Sequence, residues 1–244
     1  MSLLKMGSYI RTSQGAGSTG FFVRNQAKTY LITAGHLFAE AVIEGEPVYA
    51  ATGRIGYLER WVPFSRIVLA DTAAVVMDNP DIDPAIPRIG SVTAIRRPIL
   101  GETVWKYGAV SRLTHGTVDQ TGIEAYYQRT NSIVHNVFSI KGMRTRPGDS
   151  GGPVFGADGY LVGIVSGGNG VALATDADTA LQALGLNTAS HLLSGSEPFA
   201  LPGADQETQQ RFWVPIMLGA ALLVLGGRQH GAQHTDRQRA DQSG

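Results

Sequence analysis

The sequence predicts an all-β protein, built as a barrel or a sandwich. Short runs rich in Val, Ile, Tyr, Phe and Thr recur along the chain, separated by Gly, Asn, Asp and Pro. No period of about 20 to 50 residues repeats, which excludes a solenoid or a propeller. A single segment in the globular region carries both a helix start signal and a stop signal.

In chain order, residues 20–24 and 29–33 are strand-like and flank Asn25-Gln26-Ala27-Lys28, a hairpin connection. Residues 47–51, 66–69 and 73–77 complete a first group of strands. The stretch 77–98 carries Pro80, Pro84, Pro87 and Pro98 and reads as the connection between two halves. Residues 103–107, 113–119 and 133–140 open a second group. Residues 153–155 and 160–166 form a hairpin around Gly156-Ala157-Asp158-Gly159. In the helix, Thr175-Asp176-Ala177-Asp178 offers N-cap candidates, Ala180, Leu181 and Leu184 form an apolar stripe, and Gly185 is the stop.

At 244 residues the chain is long enough for one large domain or two small ones with real cores. Twenty basic and twenty acidic residues balance, so no bulk field points to nucleic acid. With no cysteine there is no disulfide, thiolate metal site or cysteine nucleophile. No cofactor or metal is expected.

The chemistry concentrates in Gly148-Asp149-Ser150-Gly151-Gly152-Pro153. A serine hydroxyl is a poor nucleophile at neutral pH and needs a base to take its proton and an acid to orient that base. It also needs backbone N–H groups aimed at the oxygen that becomes negative during acyl transfer. Flanking glycines leave those N–H groups open. Upstream lie Thr33-Ala34-Gly35-His36 and Asp71-Thr72-Ala73-Ala74-Val75. The serine turn also fits the Gly-x-Ser-x-Gly elbow of α/β-hydrolases, with Asp176 and His191 following it. That elbow requires a helix directly after the serine, and Pro153 with the strands that follow denies it one.

With His, Asp and Ser in that order at three separated places, the chain resembles the chymotrypsin/trypsin-like serine proteases over about residues 8 to 190. Arg146-Pro147 before the serine turn and Ser166-Gly167-Gly168-Asn169-Gly170 after it resemble the bacterial streptogrisin branch. The resemblance implies two six-stranded antiparallel β-barrels with a short closing helix and the site in the cleft between them. The protease domain would span 8–193, with a first barrel over about 8–80 and a second over about 99–193. His36 is then the general base, a role that suits histidine as a residue type because it can accept and return a proton near neutral pH. Asp71 orients it, Ser150 is the nucleophile, and the backbone N–H groups of Gly148 and Ser150 form the oxyanion hole. Ser166, Gly167 and Gly168 would pair with the substrate backbone. Arg144 would shape the primary specificity pocket, favouring acidic substrate side chains, if its guanidinium points in; the alternative is a solvated arginine. The substrate would be a protein or peptide. Rival readings on the same fold are a silent binding module, or a protease restricted to itself or to one membrane partner.

Relatives that mature by a cut bury a new N-terminus beside the aspartate before the serine. Met1 to Gly7 offers no such propeptide end and no apolar run of signal-peptide length. Asp149 must therefore find another cation or face solvent; Arg144 and Arg146 are the nearby candidates, and a distant arginine is another. Beyond a linker over 194–211, residues 212–227 are sixteen residues without a charge, followed by a polar tail, 228–244. As a helix the run would span about 24 Å, and Phe212 and Trp213 suit an interfacial belt. At that length it falls short of a hydrocarbon core of roughly 30 Å, and one reading is a buried or surface-docked helix of the protease domain. Apolarity all round and the preceding loop rich in Ser, Pro, Gly and Gln favour the other, a single C-terminal membrane-spanning helix separate from that domain. Arg228, Arg237 and Arg239 on its far side would keep the tail in the cytoplasm, while the missing signal peptide argues against export of the domain, so the side carrying the protease stays open.

Overall fold

The structure, a computed structural model, describes residues 3–39, 44–78, 81–168, 170–186 and 190–202. The chain divides into a compact unit, Met1–Pro202, and a second unit, Gly203–Gly244, which lies outside the described residues together with the expected membrane segment. Among the described residues no helix is long and apolar enough to cross a membrane.

The strands in chain order are β1 (Leu4–Lys5), β2 (Tyr9–Arg11), β3 (Ala16–Ser18), β4 (Phe21–Asn25), β5 (Lys28–Thr33), β6 (Pro47–Ala50), β7 (Gly53–Trp61), β8 (Ile67–Val68) and β9 (Ala73–Met77). There follow β10 (Ile82–Asp83), β11 (Ala94–Ile95), β12 (Thr103–Gly108), β13 (Arg112–Tyr127), β14 (Ser132–Lys141), β15 (Pro153–Gly156), β16 (Tyr160–Gly168), β17 (Ala172–Asp176) and β18 (Ser190–Leu192). A 3-10 turn, Gly35–Phe38, follows β5, and one α-helix, α1 (Ala177–Ala183), follows β17.

The first sheet runs β18-β4-β5-β9-β7-β6-β2-β3, antiparallel throughout. It has eight strands where six were expected: β4, β5, β6, β7 and β9 make five, and the N-terminal β2–β3 pair and the returning β18 extend the two edges. In the second sheet β12, β13, β14, β17, β16 and β15 close into an antiparallel ring of six, and β8 and β11 pair onto it in parallel. The core follows from the strand patterns. Central β5 is buried from Thr29 to Thr33 because β4 and β9 flank it. Val104, Val118, Phe138, Ile140, Val154 and Val162 fill the ring of the second sheet.

Both expected hairpin connections form. Gln26 takes a positive φ in the first, and in the second the Gly159 N–H donates to the Gly156 carbonyl at 3.1 Å. Asp176 caps α1 by accepting from the Thr179 N–H at 2.8 Å, and Gly185 takes the left-handed conformation that ends it. Strands β7, β13 beyond Asp119, and β17 lacked a readable apolar pattern. In β7 two glycines and the pair Glu59-Arg60 dilute it, and Gly56 is needed because a Cβ there would strike the Val76 carbonyl.

The proline-rich connection is packed rather than loose: Ala85, Ile86, Ile89 and Val92 are buried. Residues 194–202, expected in a linker, instead return across the compact unit. The Glu197 carbonyl accepts the Ser91 N–H at 3.0 Å, the Ala200 N–H donates to the Ile89 carbonyl, and Phe199 meets Phe155 edge to face with ring centroids 5.8 Å apart.

Candidate active site

Pairing of β5 with β9 sets Thr33 opposite Ala73, so the chain leaves β5 into the 3-10 turn beside the point where it enters β9. That register puts His36 and Asp71 side by side. Leu37 and Phe38 are buried and anchor the turn. The Asp71 carboxylate is fully buried and committed to three donors. Its Oδ1 accepts the His36 backbone N–H at 2.8 Å, and its Oδ2 accepts His36 Nδ1–H at 2.7 Å and the hydroxyl of Ser166. With Nδ1 carrying the proton, Nε2 is the free acceptor. Asp78 and Asp83 are engaged elsewhere, by Arg54 and Lys5.

Ser150 lies in the loop between β14 and β15. Residue 18, on β3 of the first sheet, clamps this loop. The Ser18 N–H donates to the Ser150 carbonyl at 2.7 Å, and its hydroxyl donates to the Gly148 carbonyl at 2.8 Å. The Gly151 N–H donates to Val165 at 2.7 Å. Gly148 sits at φ +97°, a conformation that favours glycine. Among the described residues the N–H groups of Gly148 and Ser150 donate to no protein acceptor. His36 and Ser150 line one cleft of about 760 Å³, with Thr145, Arg146, Pro147 and Val165 to Gly168. Their side chains are not hydrogen-bonded to each other here, a contact that in uncomplexed enzymes is often long and tightens with substrate.

Asp149 finds its cation in Lys106, on β12. Both side chains are fully buried and 3.0 Å apart. Asp149 Oδ1 also accepts the N–H groups of Val110 and Ser111, and Oδ2 accepts the Arg146 N–H and the Ser111 hydroxyl. Burial pushes the Asp149 carboxyl up, but the Ser111 and Lys106 donors outweigh it and hold it below the usual range. Gly108 is required opposite: a Cβ there would collide with this carboxylate. Neither expected arginine plays the cation, since Arg146 contributes only its backbone N–H.

Arg144, expected in the specificity pocket, is exposed and does not line the cleft; its carbonyl accepts from Ser111 and Thr114. Arg146 lines the cleft instead. Ser166 is buried with its hydroxyl on Asp71, while Gly167 and Gly168 border the cleft. Sequence reasoning missed Lys106, Ser111, Ser18, Phe64 and Tyr127. For Lys106 a signal exists: it shares a strand face with Val104, so strict alternation turns it inward. Among the described residues no cluster of His, Asp and Glu is arranged to hold a metal.

Residues 18–164 match the family model of the trypsin-like peptidase domain. The fold is similar to that of Thermobifida fusca protease A, with a TM-score of 0.64, 21% identity, and 80% of this chain and 100% of that one covered. It is equally similar to a Nocardiopsis protease, at 0.64 and 21%, covering 78% and 99%. A Cellulomonas bogoriensis chymotrypsin matches at 0.60 and 19%, covering 78% and 98%. The shared architecture is therefore the chymotrypsin-like one, mostly β with one short helix. No curated protein sequence matches significantly.

Proposed function

We propose, since the chain belongs to the trypsin-like peptidase family, that it is a serine endopeptidase acting through His36, Asp71 and Ser150. The observation that carries this reading is the buried Asp71 carboxylate on His36 Nδ1, with Ser150 in the same cleft. Ser150 Oγ attacks the scissile carbonyl carbon as His36 Nε2 takes its proton. The resulting oxyanion accepts the N–H groups of Gly148 and Ser150, which nothing else occupies. Collapse breaks the C–N bond, and the imidazolium gives its proton to the leaving amine. Water then repeats the sequence on the acyl-enzyme. The Lys106–Asp149 pair supports a domain that folds active, because it gives the buried carboxylate a cation from within the chain.

A fluorophosphonate probe reads the nucleophile directly. The full-length protein is expected to be labelled, and Ser150→Ala to lose the label while keeping its unfolding midpoint. Folded protein without label would turn the reading to a silent binding module.

Residues 212–227, uncharged for sixteen residues, support a C-terminal membrane anchor beyond the protease unit. Full-length protein should then pellet with membranes and need detergent for release, whereas protein ending at residue 202 should stay in the supernatant. Full-length protein wholly in the supernatant would sink the anchor.

A further inference from the structure

Tyr127 ends β13, at the tip of the long hairpin that overhangs the cleft. Its ring lies 6.4 Å from the His36 ring and 6.5 Å from Phe64, centroid to centroid. Its hydroxyl meets Ser166 Oγ, which in turn meets Asp71 Oδ2. The direction of this chain is fixed by donor counting. Asp71 can only accept, so the single Ser166 proton points to it, and Ser166 must accept from the Tyr127 hydroxyl. Burial, with the Asp71 charge adding to it, pushes the Tyr127 phenol up, so it remains a donor. Ser166 and Asp71 are sealed from solvent, at 1% and 0% exposure, leaving water no easy way to replace a lost donor.

The hairpin itself is tied down close to Asp71. Its second strand, β14, pairs with β8 only a few residues before that aspartate, Ile133 opposite Ile67 and Val134 opposite Val68. The Asn136 amide donates to the Leu69 carbonyl at 2.9 Å. A rigid support thus sets the hydroxyl against Ser166.

We propose that Tyr127 is a positioning residue: through Ser166 its hydroxyl fixes the Asp71 carboxylate that holds the His36 imidazole. The proposal rests on the triad reading and adds Tyr127, from the second sheet, behind the Ser166 hydroxyl already seated on Asp71. Aligned donors polarise one another in a dry site, so the tyrosine hydroxyl stabilises charge on Asp71 without touching substrate chemistry. Removing it leaves Asp71 with less of its charge neutralised and Ser166 free to turn away.

The test compares full-length wild type with Tyr127→Phe, Ser166→Ala and the double variant, reading kcat and KM on a peptide and the low-field Nδ1 proton resonance of His36 at one fixed pH. Phenylalanine keeps the ring that walls the cleft. For Tyr127→Phe, kcat is expected to fall about three- to tenfold, the worth of one hydrogen bond to a charged relay, with KM almost unchanged. The resonance should move upfield as Asp71, less firmly held, loosens its bond to His36. In the Ser166→Ala background the same substitution should change neither quantity. An unmoved resonance, an effect equally large without Ser166, or a rise in KM at constant kcat would each overturn the relay. The resonance separates this from failure of the protease reading, since it needs no turnover: protein without probe label at Ser150 but with the Ser166-dependent shift keeps the relay and loses the protease.

Discussion

Asp71→Asn is expected to lower kcat about ten-thousandfold, on the scale of tautomer errors in such triads, while the protein stays folded. The reason lies in the three donors that converge on this side chain: the His36 N–H, His36 Nδ1–H and the Ser166 hydroxyl. A carboxylate accepts all of them. An amide must present its NH2 to one side, where it faces a donor. The imidazole relieves that conflict by moving its proton to Nε2, and Nε2 can then no longer accept from Ser150 Oγ. Substrate affinity should change little, because Asp71 is buried away from the cleft wall. Peptide hydrolysis under saturating substrate, with a denaturation midpoint measured on the same preparation, checks this. Turnover within tenfold of wild type would remove Asp71 from the mechanism.

Lys106→Met is expected to destabilise the domain by about 3–5 kcal/mol, the usual result of leaving one charge of a buried pair alone. Asp149 cannot escape to solvent, since three backbone N–H groups and the Ser111 hydroxyl hold it in place. For the same reason, converting Asp149 to an apolar residue as well should not restore stability, because those N–H groups would then be orphaned. Loss of probe labelling should accompany the destabilisation, because Asp149 is the residue between the two open N–H groups. Acid titration adds an independent check. Asp149 has a folded pKa below its unfolded value of about 3.9, so its contribution to stability is present above that pH and is lost as pH falls through the folded value. Without the Lys106 charge the folded pKa rises, and the acid loss of stability should begin at a higher pH. Urea unfolding across pH 3 to 7 (about that span suffices) would refute the ion pair if the two proteins gave parallel curves.

The local parts of the fold were legible because they are written in neighbouring residues. Hairpin turns, the N-cap at Asp176 and the glycine stop at Gly185 each depend on a few adjacent positions. Strands whose burial is one-sided or whose residues are small, such as β17 and the outer part of β13, carried too little contrast to be read. The return of residues 194–202 is not legible in the sequence, because Ser, Pro and Gly mark loops, while Phe199 and Leu201, which pack onto the core, are spaced without a period.

By itself the sequence determined the all-β class, the serine turn with its open glycine backbone, and the placing of a histidine and an aspartate at the mouths of apolar strands. Those features follow from propensity and from short-range chemistry, which survive without knowledge of who packs against whom. Only the tertiary structure decided that Lys106 is the cation for Asp149, that Ser166 turns its hydroxyl to Asp71, and that Tyr127 stands behind it. Each of these contacts joins segments far apart in the chain, and each exists because burial leaves a charge or a hydroxyl no partner but the one that packing brings to it.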